Sequence, residues 1–196
     1  MSEAGLTKVT AKTAAEICGH YKVSEGAQKL LGPQLSPPQF VAALLQARQY
    51  VDVYDFLAHA LPKREAIWWA CLGVRHAQGV ELPPLELAAL KAAVEWVLEP
   101  GEPKRRAAQA AGEAADFGTP AGCAALAVYG SGGSLIADKL PMVAPPPYMT
   151  AEAAAACLTM ASVKGDPKTI PDVQRELAEL GIAIAEDKVP WPSRTK

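Results

Sequence analysis

No run of apolar residues in this chain approaches the ~18 that a bilayer-spanning helix requires, so membrane insertion is not expected. The opening Met-Ser-Glu-Ala-Gly-Leu-Thr-Lys lacks the apolar centre of a secretory signal. An excess of one charge is also missing. Nineteen basic residues stand against 21 acidic ones, a formal net charge of −2, which leaves no field to steer the chain onto nucleic acid or an anionic membrane. Aromatic residues make up only 6% of the sequence and do not interleave with basic ones as a base-stacking surface would, which also argues against a nucleic-acid partner. The four cysteines, Cys18, Cys71, Cys123 and Cys157, are widely spaced with no Cys-x-x-Cys. That excludes a zinc-ligand or redox motif and, in a chain this long, a disulfide framework. They are expected as buried reduced thiols in a cytoplasmic protein. No cofactor is implied.

What the chain does have is alanine, proline and helical periodicity. Half the residues are hydrophobic, enough for a real core. Alanine supplies much of that total, which favours helices that approach closely. Thr13 with Glu16 has capping-box spacing, and Ser24-Glu25 opens a second short piece. Ser36-Pro37-Pro38-Gln39 is a strong start for a stripe of Phe40, Val41, Leu44 and Leu45. A further segment from Tyr50 turns Val53, Phe56, Leu57 and Ala60 inward, until Pro62 ends it and opens the central helix. Pro83-Pro84, Pro103, Thr119-Pro120, Thr150 and Thr169 mark later starts. Gly181 suits either a helix cap or an interior position.

Convincing strand alternation is absent, so the expected fold is all-α: a compact bundle of about eight short antiparallel helices. Helix pairs recur in a repeat-like way, but their residues do not align as a solenoid. One helical domain is expected over 1–187, with a loose tail over 1–9 and an irregular one over 188–196. A long Gly/Pro-rich loop runs through Gly130–Tyr148.

The Gly130-Ser131-Gly132-Gly133-Ser134 stretch invites a phosphate-binding reading, but no lysine follows it and a helix precedes it. Neither serine has the flanking glycines of a nucleophile elbow. Asp52, Asp55 and His59 recur at i, i+3 and i+7, with Glu65 near in sequence. A carboxylate beside an imidazole is the chemistry of a metal site or an acid–base pair. This supports a metal-dependent or hydrolytic enzyme as the alternative reading. Lys63-Arg64 and Lys104-Arg105-Arg106 each sit in a first helical turn, against the helix dipole. They suit partner contact or solvated charge facing Glu65 and Glu102. Trp68 and Trp69 differ by ~100° around the helix axis, so one of them is expected at an edge of the core or on a contact surface. Tryptophan and arginine dominate protein interfaces, and Arg64 and Arg75 flank the pair. Trp191, between Pro190 and Pro192, either docks on the body or serves as a recognition peptide.

Ala60-Leu61-Pro62-Lys63-Arg64-Glu65-Ala66, followed by Trp68-Trp69-Ala70-Cys71-Leu72, resembles an uncharacterised bacterial all-helical family of unknown function. Pro120-Ala121-Gly122 leading to Gly132-Gly133-Ser134-Leu135, and the proline-rich stretch and alanine-rich helix after it, extend the resemblance over about Ser36 to Met160. A second cysteine at Gly73 and a bulkier aromatic pair at Tyr129-Gly130 belong to that pattern, and this chain departs from both. The resemblance carries no catalytic residue. It implies an association with bacterial secretion gene neighbourhoods, which suits an adaptor, chaperone or accessory subunit. The sequence therefore points to a non-enzymatic module that binds another protein through Lys63, Arg64, Glu65, Trp68, Trp69 and Arg75, together with the Gly130–Tyr148 loop, with a homo-oligomer as a further possibility.

Overall fold

Hydroxyl side chains and prolines open helices at the expected places. Thr13 Oγ1 accepts the Glu16 N–H at 3.3 Å, Ser24 Oγ that of Ala27 at 3.1 Å, and Thr119 Oγ1 that of Gly122 at 3.1 Å. The Gln39 side chain reaches back to accept the Ser36 N–H at 2.9 Å. Each bond satisfies a backbone group that a helix end would otherwise leave without a partner. In the computed structural model, which describes residues 5–136 and 141–192, the helices are α1 (Ala14–Cys18), α2 (Glu25–Leu30), α3 (Pro37–Gln46), α4 (Tyr50–Ala60), α5 (Lys63–Gln78), α6 (Pro84–Leu98), α7 (Glu102–Ala115), α8 (Pro120–Tyr129), α9 (Met149–Ser162) and α10 (Ile170–Ala185). Among the described residues there is no strand. The described residues hold ten helices where about eight were expected. None is long and apolar enough to cross a membrane.

α5 is the axis of the fold and packs against α4, α6, α8, α9 and α10. The small faces of α7 and α8 also pack together. A Cβ placed on Gly112 would lie 3.0 Å from the Ala125 Cβ and 3.2 Å from the Gly122 carbonyl oxygen, so these two helices sit as close as small residues allow.

The chain ends depart from expectation. The first four residues of the tail expected over 1–9, residues 137–140 of the Gly/Pro-rich loop, and 193–196 of the C-terminal tail lie outside the described residues. The N-terminal segment is not loose from Leu6 onward: Leu6 is buried and the Lys8 N–H donates to the Ala185 carbonyl at 2.9 Å. The C-terminal tail is irregular as expected, but it is seated on α5. Trp68 Nε1 donates to the Val189 carbonyl at 3.2 Å, and the Trp191 ring lies 4.0 Å from the Arg64 guanidinium. Such a stack contributes about 0.5–1 kcal/mol where it is exposed.

The two tryptophans are covered by different segments. Trp69 is fully buried, with its Nε1 donating to the Leu177 carbonyl at 2.9 Å, and Trp68 is 8% exposed beneath the tail. α10 covers one ring and the tail the other, so α5 is buried on both faces. Gly181 lies inside α10.

Candidate functional site

Most of the side chains expected to meet a partner are spent on the fold. Arg64 Nε and Nη2 donate to the Val97 and Leu98 carbonyls at 2.6 and 3.2 Å, satisfying groups at the end of α6 that have no partner within the helix. Glu65 is buried and receives Lys8 Nζ at 3.3 Å. Lys63 Nζ donates to the Ser131 carbonyl at 2.9 Å, and Arg75 Nη1 to that of Val80 at 3.1 Å. Trp68 and Trp69 are inside. The surface centred on the tryptophan pair therefore does not exist as a free face. Lys63 and Arg75 are exposed and Arg64 is partly so, whereas Glu65, Trp68 and Trp69 are buried.

The basic run of α7 also turns inward. Arg105 is 3% exposed. It donates to both carboxylate oxygens of Glu102, to the Tyr129 carbonyl and to the Ser134 carbonyl. Arg106 reaches the Ile136 carbonyl at 2.8 Å. The glycine-rich turn is thus bolted to α7.

The face of α4 bearing Asp55 and His59 opens onto a cleft of about 440 Å³, closed by the α1–α2 connection and by α9. His59 also lines a second groove of about 420 Å³, between the α4–α5 turn and the segment Pro147–Ala151. Its ring stacks on Tyr21 at 4.5 Å between centroids and lies 5.7 Å from Tyr148, which in turn stacks on His20 at 4.4 Å. Four rings from three distant segments therefore form one row. Tyr148 holds it together at a backbone cost, since its φ of 65° is an outlier for a bulky residue.

His59 Nδ1 lies 2.7 Å from the main-chain carbonyl of Asp55. A carbonyl only accepts, so Nδ1 carries the proton and Nε2 presents a lone pair. That Nε2 is buried without a partner. Desolvation lowers the imidazole's pKa and favours the neutral ring.

The metal constellation expected from Asp52, Asp55 and His59, with Glu65 near in sequence, does not assemble among the described residues. Glu65 borders a different cavity with Lys8 and Trp191. The Asp55 backbone holds the imidazole, so its carboxylate does not orient the ring. Among the described residues no three His, Cys, Asp or Glu side chains come together to hold a metal ion. The thiols offer no activated nucleophile either, since burial pushes Cys71 up to about 12 and Cys123 to about 11.

Burial, reinforced by the charge of Asp52, pushes the Asp55 carboxyl up to about 6 from an ordinary 3.8. A carboxyl raised in the folded state supports the fold fully below its unfolded pKa and withdraws that support as pH rises through the folded value. Asp55→Asn is therefore expected to gain melting temperature over the wild type as pH rises from about 4 to about 7. A series of melting curves checks this. A gap that stays constant with pH would show that the carboxylate is at ease where it lies.

Sequence reasoning found Asp55 and His59 by their spacing. It gave no role to His20, Tyr21 and Glu152, which reach the site from the α1–α2 connection and from α9, and it reached Tyr148 only as the end of the Gly130–Tyr148 loop. A bulky aromatic wedged between three prolines and a helix start was a usable sign for Tyr148. Tyr21 carried none.

No curated protein matches the chain, and no solved structure does. The sequence model of one family matches residues 40–185, from the start of the α3 apolar stripe to the end of α10. Gly73 and Gly130, the two departures noted from the sequence, have structural counterparts: added Cβ atoms would fall 2.4 Å from Leu158 Cδ2 and 2.7 Å from Met149 Cγ. With its tails and first two helices outside the match, the chain belongs to DUF6931, a family of unknown function.

Proposed function

We propose that the protein is a non-enzymatic interaction module, an adaptor, chaperone or accessory subunit working in the cytoplasm, and that it docks an extended segment of another protein beside His59. The observation that carries this reading is the wall of the second groove. Pro147 and Tyr148 line it, Tyr148 at 38% exposure, and Met142 and Val143 stand exposed at 72% and 45% just upstream in the same segment. Large apolar side chains exposed together beside a groove are a common feature of interaction surfaces. Pro62 and Lys63 form the opposite wall, so the α5 start contributes through its first turn, while its tryptophans support it from within. A strained tyrosine at the groove's edge is a further sign that shape is held here at some cost to stability.

The test is site-specific photo-crosslinking in the native host, with the photoreactive residue in place of Met142 and, as a control, of Leu85 on the far connection. A protein captured from Met142 alone is then purified, and its affinity is measured by calorimetry. Tyr148→Ala is expected to weaken it by about tenfold or more without loss of helical content, and Arg75→Ala to leave it unchanged. Equal capture from both positions, or an affinity indifferent to Tyr148, overturns the reading. So does purified protein that carries stoichiometric zinc, iron or manganese and loses it in His59→Ala.

A further inference from the structure

We infer that the segment 186–192 is exchangeable between copies of this chain. Its seat on the first turns of α5 takes the same segment of a second copy, so that two chains join as a dimer by swapping tails. The inference is independent of the groove beside His59.

The seat shows what it accepts. Trp68 Nε1 donates to the Val189 carbonyl at 3.2 Å, and the Trp191 ring lies 4.0 Å from the Arg64 guanidinium and 5.8 Å from Lys8 Nζ. Lys8 also pairs with Asp187 at 3.2 Å. A second copy carries the identical segment, so every one of these contacts can be remade between chains. The segment also brings its own shape. Pro190 and Pro192 fix their φ, and each holds the residue before it extended, which leaves Val189 and Trp191 little freedom to lose on docking. The segment lies outside the helical body that matches the family model, residues 40–185, and it spans its seat without filling it. A cavity of about 50 Å³ remains, bordered by Trp191, Asp187, Lys8, Glu65 and Trp68. Peeling the segment away therefore leaves the packing of the helices on one another in place.

The hinge supplies the reason to exchange. α10 ends at Ala185, and Asp187 then turns the chain back in the left-handed region, at a φ of 61°. The Lys188 N–H donates to the Ala183 carbonyl at 2.8 Å across this turn. Glycine is the usual residue in such a turn at a helix end, because a Cβ is disfavoured there. The tail contacts are the same within one chain and between two, so they cancel. What remains is the hinge, which leaves the left-handed turn when the tail runs outward, set against the freedom lost on association. A tail tethered to its own seat also has a high effective concentration. The dimer is therefore expected only at high protein concentration, and its strength depends on the residue at 187.

Sedimentation equilibrium of the full chain reads the exchange, at concentrations up to about 1 mM, the effective concentration of a short tether. Asp187→Val, whose branched side chain opposes a left-handed φ, is expected to tighten the dimer by about tenfold or more. Asp187→Gly, which relieves the turn, is expected to loosen it severalfold. Both variants lose the pair with Lys8, so that loss does not separate them. Trp191→Ala is expected to abolish the dimer. A second measurement titrates the unlabelled peptide acetyl-Lys-Val-Pro-Trp-Pro-amide into ¹⁵N-labelled full chain. The Trp68 indole signal, assigned by its loss in Trp68→Phe, should move saturably, at about tenfold lower peptide concentration in Trp191→Ala than in the wild type, whose own tail competes. Dimers that weaken from Asp187→Val through wild type to Asp187→Gly, and vanish in Trp191→Ala, support the exchange. Three results overturn it: wild type and Asp187→Val both monomeric throughout, a dimer that persists unchanged in Trp191→Ala, or a peptide that leaves the Trp68 signal of Trp191→Ala unmoved.

Discussion

Gly181→Ala is expected to destabilise the protein by roughly 2 kcal/mol, although alanine is the better helix former. Gly181 lies within α10, and a Cβ there would fall 2.4 Å from Trp69 Cζ2, 2.5 Å from Cε2 and 2.8 Å from Cη2. On an open helix the substitution gains about 1 kcal/mol. Overpacking a close-packed core costs about 1–3 kcal/mol, and two features place this site at the top of that range. The obstructing atoms belong to a rigid ring, and the ring is pinned. Trp69 donates to the Leu177 carbonyl of α10 and stands edge-on to Tyr54 at 5.8 Å. The Tyr54 hydroxyl itself donates to the Gln174 carbonyl at 2.7 Å. Steric cost therefore outweighs propensity. Urea unfolding of a double-mutant cycle with Trp69→Phe checks the mechanism, because phenylalanine withdraws the obstructing atoms. In that background Gly181→Ala should become neutral or stabilising, a coupling of about 2–3 kcal/mol. Additive effects would mean that ring and glycine do not compete for space.

Arg105→Met is expected to cost about 3 kcal/mol and to release the glycine-rich turn. Methionine fills a similar volume and supplies no donor. The Tyr129 carbonyl, bonded to Arg105 Nη1 at 2.7 Å in a buried setting, loses that donor, as does the Ser134 carbonyl at 2.9 Å. Each such loss costs about 1–3 kcal/mol. Glu102, 48% exposed, turns to water at little cost, so the carbonyls account for most of the loss. Lysine cannot serve both carbonyls and Glu102 from one ammonium, and Arg105→Lys is expected to recover less than half. Unfolding curves measure the loss, and limited proteolysis should show new cleavage between Gly130 and Ile136. A variant as stable and as resistant as the wild type would make the guanidinium a bystander. Hydrogen bonds from Arg105 also hold the Glu102 carboxyl below its ordinary 4.5. Its contribution is therefore present above that pH and fades as pH falls below it, an effect kept small by exposure.

Tertiary contacts decided the role of the cationic residues. A guanidinium in a first helical turn conflicts with the helix dipole, and the sequence offers two outlets for it, a partner or solvent. Arg64 and Arg105 take a third, the carbonyls of other segments 24 to 34 residues away. Those carbonyls are invisible in composition or periodicity, since every residue carries one. The candidate site was legible only in part for a related reason. Asp55 and His59 share one helix, so their spacing places them together. Tyr21, Tyr148 and Glu152 meet them only after the chain has closed.

The sequence by itself determined the helices and their ends, because caps, prolines and apolar stripes act within a turn or two of the residues that carry them. It also determined that α5 is the axis, and that the fold is all-α without a membrane-spanning helix among the described residues. Only the tertiary structure decided which faces of α5 are covered. Trp69 is closed over by α10, 108 residues on, and Trp68 by the tail, 121 residues on. Gly181 was ambiguous in sequence for the same reason: a glycine near a helix end serves as a cap or as a gap. Here it is the gap that admits an indole, a demand set by a ring on another helix and by nothing in the residues beside it.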